Sequence, residues 1–269
     1  MIEEIKELID EDCSITSGDL VLYVRRHFNL HVCLSTIDRA IGSFNYSVKR
    51  ITHRAIAGDT PANEQARLDF CNWYLDQQAA GRTMVMFDEV PFNLSMRVAY
   101  GRSEVGTRAE DRVPKIKSKN VTVMAAMYTR GVLLQSILPG NGNRIECEHF
   151  IDDLAAARDA AGLPNNTIVI LDNVSFHHSA NVIEMLELRG FEYKFLPPYS
   201  PYFMAIECMF AEWKTFVKRG LANTRAMTQV ELEDRMNAFR LAPDHALHYV
   251  AHAGRNILQY TRGVRVFDN

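Results

Sequence analysis

The stretch NTIVILDN (residues 166–173) decides how the larger part of this chain folds. Its apolar run, Ile168 to Leu171, is short, rich in β-branched residues and bounded by polar ones, which reads as a buried strand ending at Asp172. Downstream, SANVIEMLELRG (179–190) reads as a helix stopped by Gly190, and FEYKFLPP (191–198) as another short strand. The segment LPPYSPYFMAIECMF (196–210) then passes from a proline-studded loop into a helix reaching about Arg219, followed by helices near 228–241 and 244–259.

Upstream, RTMVMFDEV (82–90) reads as a buried strand ending in acids, and FNLSMRVAYGRS (92–103) as a second strand leading into a glycine-containing loop. VTVMAAMYTRGVLLQSILPG (121–140) reads as a hairpin turning at Thr129-Arg130-Gly131, and ECEHFIDDLAAARDAAG (146–162) as a helix stopped by Gly162 and Pro164. Antiparallel strands followed by alternating helices and strands make an α/β unit, a mixed sheet flanked by helices on both faces.

The first fifty-odd residues differ in kind. IEEIKELI (2–9) has helical apolar spacing, and Thr16 or Ser17 offers a cap for a second helix ending near His27. LSTIDRAI (34–41) reads as a third helix capped by Ser35, with Asp38 closing an Asp-containing capping box. Three short helices, the third after a tight polar turn, match a helix-turn-helix module, with FNYSVKRITHR (44–54) as a wing or basic tether. The division expected is a helix-turn-helix module at 1–56, a linker helix at 57–80, and the larger α/β domain with C-terminal helices at 81–269.

The 269 residues suffice for one large domain and one small one, and the net charge of −3 gives no global case for nucleic acid. Charge is uneven, however. Residues 1–21 carry seven acids against Lys6, whereas residues 22–54 carry Arg25, Arg26, Arg39, Lys49, Arg50 and Arg54 against Asp38. A second basic stretch runs from Arg97 to Lys119, and local basic patches weigh more for DNA than the chain average. Five cysteines, widely spaced and never CxxC, argue against a disulfide framework or structural zinc. With no spanning apolar run and an acidic start unlike a signal peptide, an intracellular protein is expected.

Three acids occupy informative places. Asp88 and Asp172 end apolar strands, and Glu207 lies in the helix after the next strand, amid Met204, Ile206, Met209 and Phe210. Strand ends gather at one rim of a sheet, where an overlying helix can add a third carboxylate. Three converging carboxylates raise one another's pKa unless a cation joins them, and hard oxygen ligands suit Mg²⁺ or Mn²⁺. Two such ions can activate an attacking hydroxyl and stabilise the leaving oxygen of a phosphodiester. Taken singly, each acid also reads as a turn, a cap or a solvated side chain.

VMFDEVPFNLSM (85–96), VILDNVSFHHS (169–179) and LPPYSPYFMAIECMFAEWK (196–214) together resemble the signature blocks of mariner-type transposases and related bacterial insertion-sequence enzymes. These belong to the Asp-Asp-Glu superfamily with an RNase H-like catalytic fold, and the 34 residues between Asp172 and Glu207 match the mariner-like spacing. The resemblance implies a metal-binding catalytic triad of Asp88, Asp172 and Glu207 served by two Mg²⁺ or Mn²⁺ ions. It implies a DNA transposase that cleaves element ends and joins the 3′-hydroxyl to target DNA, acting as a homodimer on terminal inverted repeats. The expected location is the nucleus in a eukaryotic host and the cytoplasm or nucleoid in a bacterial one, the nucleus being favoured. Ser35, Thr36 and Arg39 on the third helix, with Lys49 and Arg50, would contact the end sequence. Arg102, Arg108, Lys117 and Lys119 would meet the DNA backbone, a solvated loop being the plainer alternative. Glu89 and Asn173 are placed to orient a ligand or water or to cap, and His177 and His178 to touch DNA, to touch a ligand carboxylate, or to cap a helix or lie at the surface.

Two departures stand out. The family's Asn-Pro before Ile-Glu is replaced by Met204-Ala205, which cannot cap a helix start, so restoring Asn-Pro is expected to raise or preserve activity. Relatives also commonly carry two helix-turn-helix modules, against one here. A catalytically silent, transposase-derived DNA-binding protein is the alternative reading.

Overall fold

A computed structural model describes residues 1–49, 51, 56–110, 119–222, 228–264 and 266. The chain divides into two compact units, Met1–Ile56 and Ala57–Asn269.

The first unit holds helices α1 (Ile2–Glu11), α2 (Ser17–Phe28) and α3 (Leu34–Ser43). Its core is Ile5, Leu20, Val24 and Ile37, with Leu8, Ile9 and Ile41 packed around them. Thr16 caps α2 through a full capping box with Asp19. The start of α3 differs from the sequence expectation: Cys33, not Ser35, is the N-cap residue. Asp38 closes no box there and instead accepts a hydrogen bond from Ser17 Oγ at 2.7 Å, tying α3 to α2. Residues 44–49 and 51 form no strand, and the rest of the expected wing or tether, 50 and 52–54, lies outside the described residues.

A 3₁₀ turn (Ile56–Asp59) spans the boundary, and the second unit continues with α4 (Pro61–Ala79), which Thr60 caps and Pro61 starts. Strands β1 (Met84–Phe92), β2 (Val121–Tyr128), β3 (Gly131–Pro139), β4 (Ile168–Leu171) and β5 (Glu192–Phe195) form one sheet in the order β3-β2-β1-β4-β5. The β1–β2 and β2–β3 pairings are antiparallel, and β1–β4 and β4–β5 are parallel. Helices α5 (Arg144–Ala160), α6 (Ala180–Leu188), α7 (Ala205–Ala222), α8 (Gln229–Ala238) and α9 (Pro243–Thr261) complete the unit.

Alternation along the strands sorts side chains into two cores. Met86, Val90, Phe92, Ala125 and Ile170 face a layer that includes Tyr74 of α4, Trp213 of α7, Met236 of α8 and Ile257 of α9. Val85, Phe87, Met124 and Leu171 face Phe150, Ile151 and Leu154 of α5 and Leu186 of α6. A sheet apolar on both faces and covered on both is the α/β arrangement expected from the sequence.

Two local expectations differ from the structure. Residues 93–103 form no second strand, because the Asn93 side-chain amide Oδ1 accepts from Ser95 N and Ser95 Oγ and the Met96 N–H returns to the Asn93 carbonyl. That local turn takes the backbone groups a strand would have paired. β1 also does not end at Asp88 but continues to Phe92 against β2; only its parallel pairing stops early, at Phe87 opposite Leu171. Among the described residues no helix is long and apolar enough to cross a membrane.

Candidate active site

The chain leaves β1 toward β2 on one side while β4 lies on the other, so a topological switch point falls between β1 and β4. Because Phe87 is paired with Leu171, the next residues along each strand, Asp88 and Asp172, emerge side by side at the end of the parallel pairing. Asp88 follows the alternation of Met86 and Val90 and therefore faces the α7 layer. Glu89 follows Phe87 and faces the α5 layer.

Asp88 is 8% exposed, and its one hydrogen bond in hand is the Glu89 N–H at 2.7 Å. Burial, then the charges of Glu207 and Asp172, raise its pKa well above the usual carboxylate range. Glu207 and Asp172 are thus near enough to act on Asp88, and both line a cleft of about 400 Å³ with Asn173, Met204 and the proline-rich loop 196–201. The sequence placed Glu207 among buried neighbours. The structure buries Ile206, Met209 and Phe210 but leaves Glu207 exposed, in the first turn of α7, where a negative charge also suits the helix dipole.

Met204, which precedes α7, has no side-chain oxygen with which to cap the helix. Instead the buried Ala205 N–H meets the Met86 thioether at 3.0 Å, two residues before Asp88 on β1. From α9, Asn256 donates its amide to the Tyr202 carbonyl at 2.9 Å, holding the 3₁₀ turn (Pro201–Phe203) that feeds α7. Neither contact leaves a local sequence signal, since both join segments far apart in the chain.

His177 is completely buried. Its Nδ1 lies 2.7 Å from Asp172 Oδ1 and its Nε2 3.1 Å from Glu89 Oε1, with Phe87 and Phe176 against the ring. Burial works against its positive charge, but hydrogen bonds to Asp172, Cys147 and Glu89 more than offset that and push the imidazole's pKa up. His177 thus contacts the carboxylates of Asp172 and Glu89, and its burial rules out the surface role left open by the sequence. Ligand atoms of Glu89, Asp172 and His177 lie within 4.8 Å of one another. His177 already engages both carboxylates through its two nitrogens, an arrangement that orients Asp172. His178 instead turns to Asn173 Oδ1 and stacks on Phe195 at 3.9 Å.

A divalent cation fits the acids on chemical grounds: oxygen-only donors, one of them buried, whose like charges now oppose one another. The residues expected to meet DNA belong to both units. In the first unit Ser35, Arg39 and Lys49 are exposed and Thr36 is half-buried; Arg39 Nε reaches back to the Ser35 carbonyl at 3.3 Å. In the second unit Arg102, Arg108 and Lys119 are exposed. Arg50 and Lys117 lie outside the described residues.

The family model for the DDE superfamily endonuclease matches residues 83–232, which contain all three acids. No curated protein matches significantly. Among solved structures, the Mos1 transposase paired-end complex with left transposon end aligns with a TM-score of 0.76 at 15% identity, covering 98% of this chain and 78% of that one. The Mos1 Strand Transfer Complex aligns at 0.75 and 14% identity over 100% and 79% of the two chains. The catalytic domain of Mos1 mariner transposase aligns at 0.59 and 14% identity over 80% and 97%. At such identities the likeness establishes the fold, a helical N-terminal module followed by an RNase H-like domain.

Proposed function

The chain belongs to the DDE superfamily endonucleases, and from that premise we propose that it is a metal-dependent DNA transposase of the mariner-like kind. The observation that carries this reading is the meeting of Asp88 and Asp172 at the paired ends of β1 and β4 with Glu207 of α7, their charges acting on one another. In the reading, Asp88, Asp172 and Glu207 hold two Mg²⁺ or Mn²⁺ ions; Mos1 paired-end complexes were solved with Mn and with Mg. Bound there, divalent cations would supply charge stabilisation for phosphodiester hydrolysis and transesterification.

The chain's own residues do the positioning. Burial makes Asp88 a poor solitary anion and hence a strong ligand. His177 fixes the Asp172 carboxylate, and α7 presents Glu207 at the cleft that Asp172 also lines. The first unit acts as the helix-turn-helix module that recognises a terminal inverted repeat through α3, with Ser35, Thr36 and Arg39 toward the bases and Lys49 toward phosphate. Holding two ends together calls for a homodimer, working in the nucleus of a eukaryotic host.

The test is nicking of supercoiled plasmid in Mn²⁺ or Mg²⁺, followed by joining of a pre-cut end. Asp88→Ala, Asp172→Ala and Glu207→Ala are each expected to abolish both. Undiminished cutting by any one of them would remove that residue from the site, and cutting without a divalent ion would remove the mechanism.

A further inference from the structure

Tyr199 has a backbone conformation that its residue type disfavours. Its φ is +56°, in the left-handed region, yet it is not glycine. Such strain persists where surroundings enforce it, most often at functional sites. Here the enforcing group is Arg67, a buried cation on α4 whose Nε donates to Ser200 Oγ at 3.1 Å and whose Nη2 donates to the Gly58 carbonyl. Gly58 in turn leaves room for Tyr199: a Cβ there would stand 3.3 Å from the Tyr199 Cβ and Cγ. Ser200 is buried, so the loop is anchored directly behind the tyrosine.

The result is a large aromatic side chain left 54% exposed while its neighbours are pinned. It lines the same cleft as Asp172 and Glu207, beside an apolar wall of Leu196, Pro197, Pro198 and Met204. Flat apolar surface next to acids that would hold a phosphate-binding cation matches one ligand chemistry: a nucleotide whose phosphate meets the acids and whose base meets the ring. Base–aromatic stacking is indifferent to sequence and needs the base out of the helical stack.

Resting on the nuclease reading above, we propose that Tyr199 is the stacking platform for an unpaired base next to the scissile phosphate. It makes the enzyme prefer DNA that is opened at the cleavage position.

The probe is a forked DNA duplex with 2-aminopurine at the fork, bound in Ca²⁺ so that cutting does not intervene. Wild type, Tyr199→Phe and Tyr199→Trp are expected to change the 2-aminopurine fluorescence on binding. Tyr199→Gly, which suits the positive φ and so preserves the loop, is expected to lose that change and bind the fork about tenfold more weakly. Its affinity for fully paired duplex is expected to stay the same. An abasic fork should bring wild type down to the level of Tyr199→Gly. Unchanged fork binding by Tyr199→Gly, or loss by Tyr199→Phe equal to that by Tyr199→Gly, would overturn the proposal. In the first case wild-type plasmid nicking in Mn²⁺ would leave the nuclease reading standing. If wild type neither nicks plasmid nor binds the fork, both fall together.

Discussion

His177 Nδ1 lies 2.7 Å from Asp172 Oδ1, and the same ring reaches Glu89 on β1 at 3.1 Å. A fully buried imidazole thus ties the loop after β4 to the strand carrying Asp88, and it fixes one Asp172 oxygen in place. Groups that orient metal-binding carboxylates typically matter by about 10–100-fold in metal affinity or activity. His177→Asn is therefore expected to raise the Mn²⁺ concentration needed for nicking by about that factor while the protein stays folded. Glu89→Gln, which keeps one hydrogen-bonding oxygen, should cost less. A metal titration of plasmid nicking checks both, and an unchanged midpoint in His177→Asn would show that Asp172 needs no such support.

Asp88 makes the opposite contribution to stability and to activity. Its pKa is raised by burial and by Glu207 and Asp172, so its charged form opposes folding at neutral pH. Asp88→Asn is expected to abolish nicking yet stabilise the metal-free protein by about 1 kcal/mol or more, about 2–4 °C at this chain length. The gain should shrink as pH falls, because the wild-type carboxyl takes up a proton and no longer repels its neighbours. Melting in EDTA at several pH values measures it, and added Mn²⁺ should raise the melting temperature of wild type but not of Asp88→Asn.

The order of strands and helices was legible because apolar runs and glycine stops are local, and so was the candidate triad, since Asp88 and Asp172 end such runs. What was illegible depends on partners distant in sequence. β1 continues beyond Asp88 because β2 pairs with it there, through Asp88 opposite Ala125 and Phe92 opposite Val121. The exposure of Glu207 was illegible because its neighbours in sequence are buried, although it lies exposed in the first turn of α7 and lines the cleft. The strand expected after Phe92 failed for the converse reason: Asn93 makes its own local turn, and propensity over 94–100 could not outweigh it. Arg67 carried no signal at all, since an arginine in an amphipathic helix reads as solvated until Ser200 and Gly58 are brought against it.

The capping box of α2 links stability of the first unit to pH. Hydrogen bonds from the Thr16 hydroxyl and the Thr16 N–H lower the Asp19 pKa below its usual value. A depressed carboxylate contributes stability above its unfolded pKa and loses it as pH falls through the folded one. Hydrogen exchange at the α2 amides is therefore expected to be faster in Asp19→Asn than in wild type at neutral pH. The two proteins should converge under acid conditions, below the folded-state pKa of Asp19. A difference that persisted undiminished at low pH would mean the effect of Asp19 is not carried by its charge.

The contact between Ala205 and Met86 reverses the expectation drawn from the missing Asn-Pro. Proline at the first helical position is normally harmless, because the N–H it removes has no partner within the helix. Here that N–H has one, the Met86 thioether at 3.0 Å, and Ala205 is fully buried. A proline ring at 205 would remove the donor and crowd the sulfur, costing about 1–3 kcal/mol by overpacking. Met86→Leu should cost about 1 kcal/mol by leaving the buried N–H without its acceptor. Accordingly, Met204→Asn with Ala205→Pro is expected to lower both urea stability and nicking. Replacing Met86 by Ala in the same chain should recover part of the loss by making room for the ring. A double variant that is more stable and more active than wild type would show that the Met86 contact holds nothing in place, and that the start of α7 is set by the loop alone.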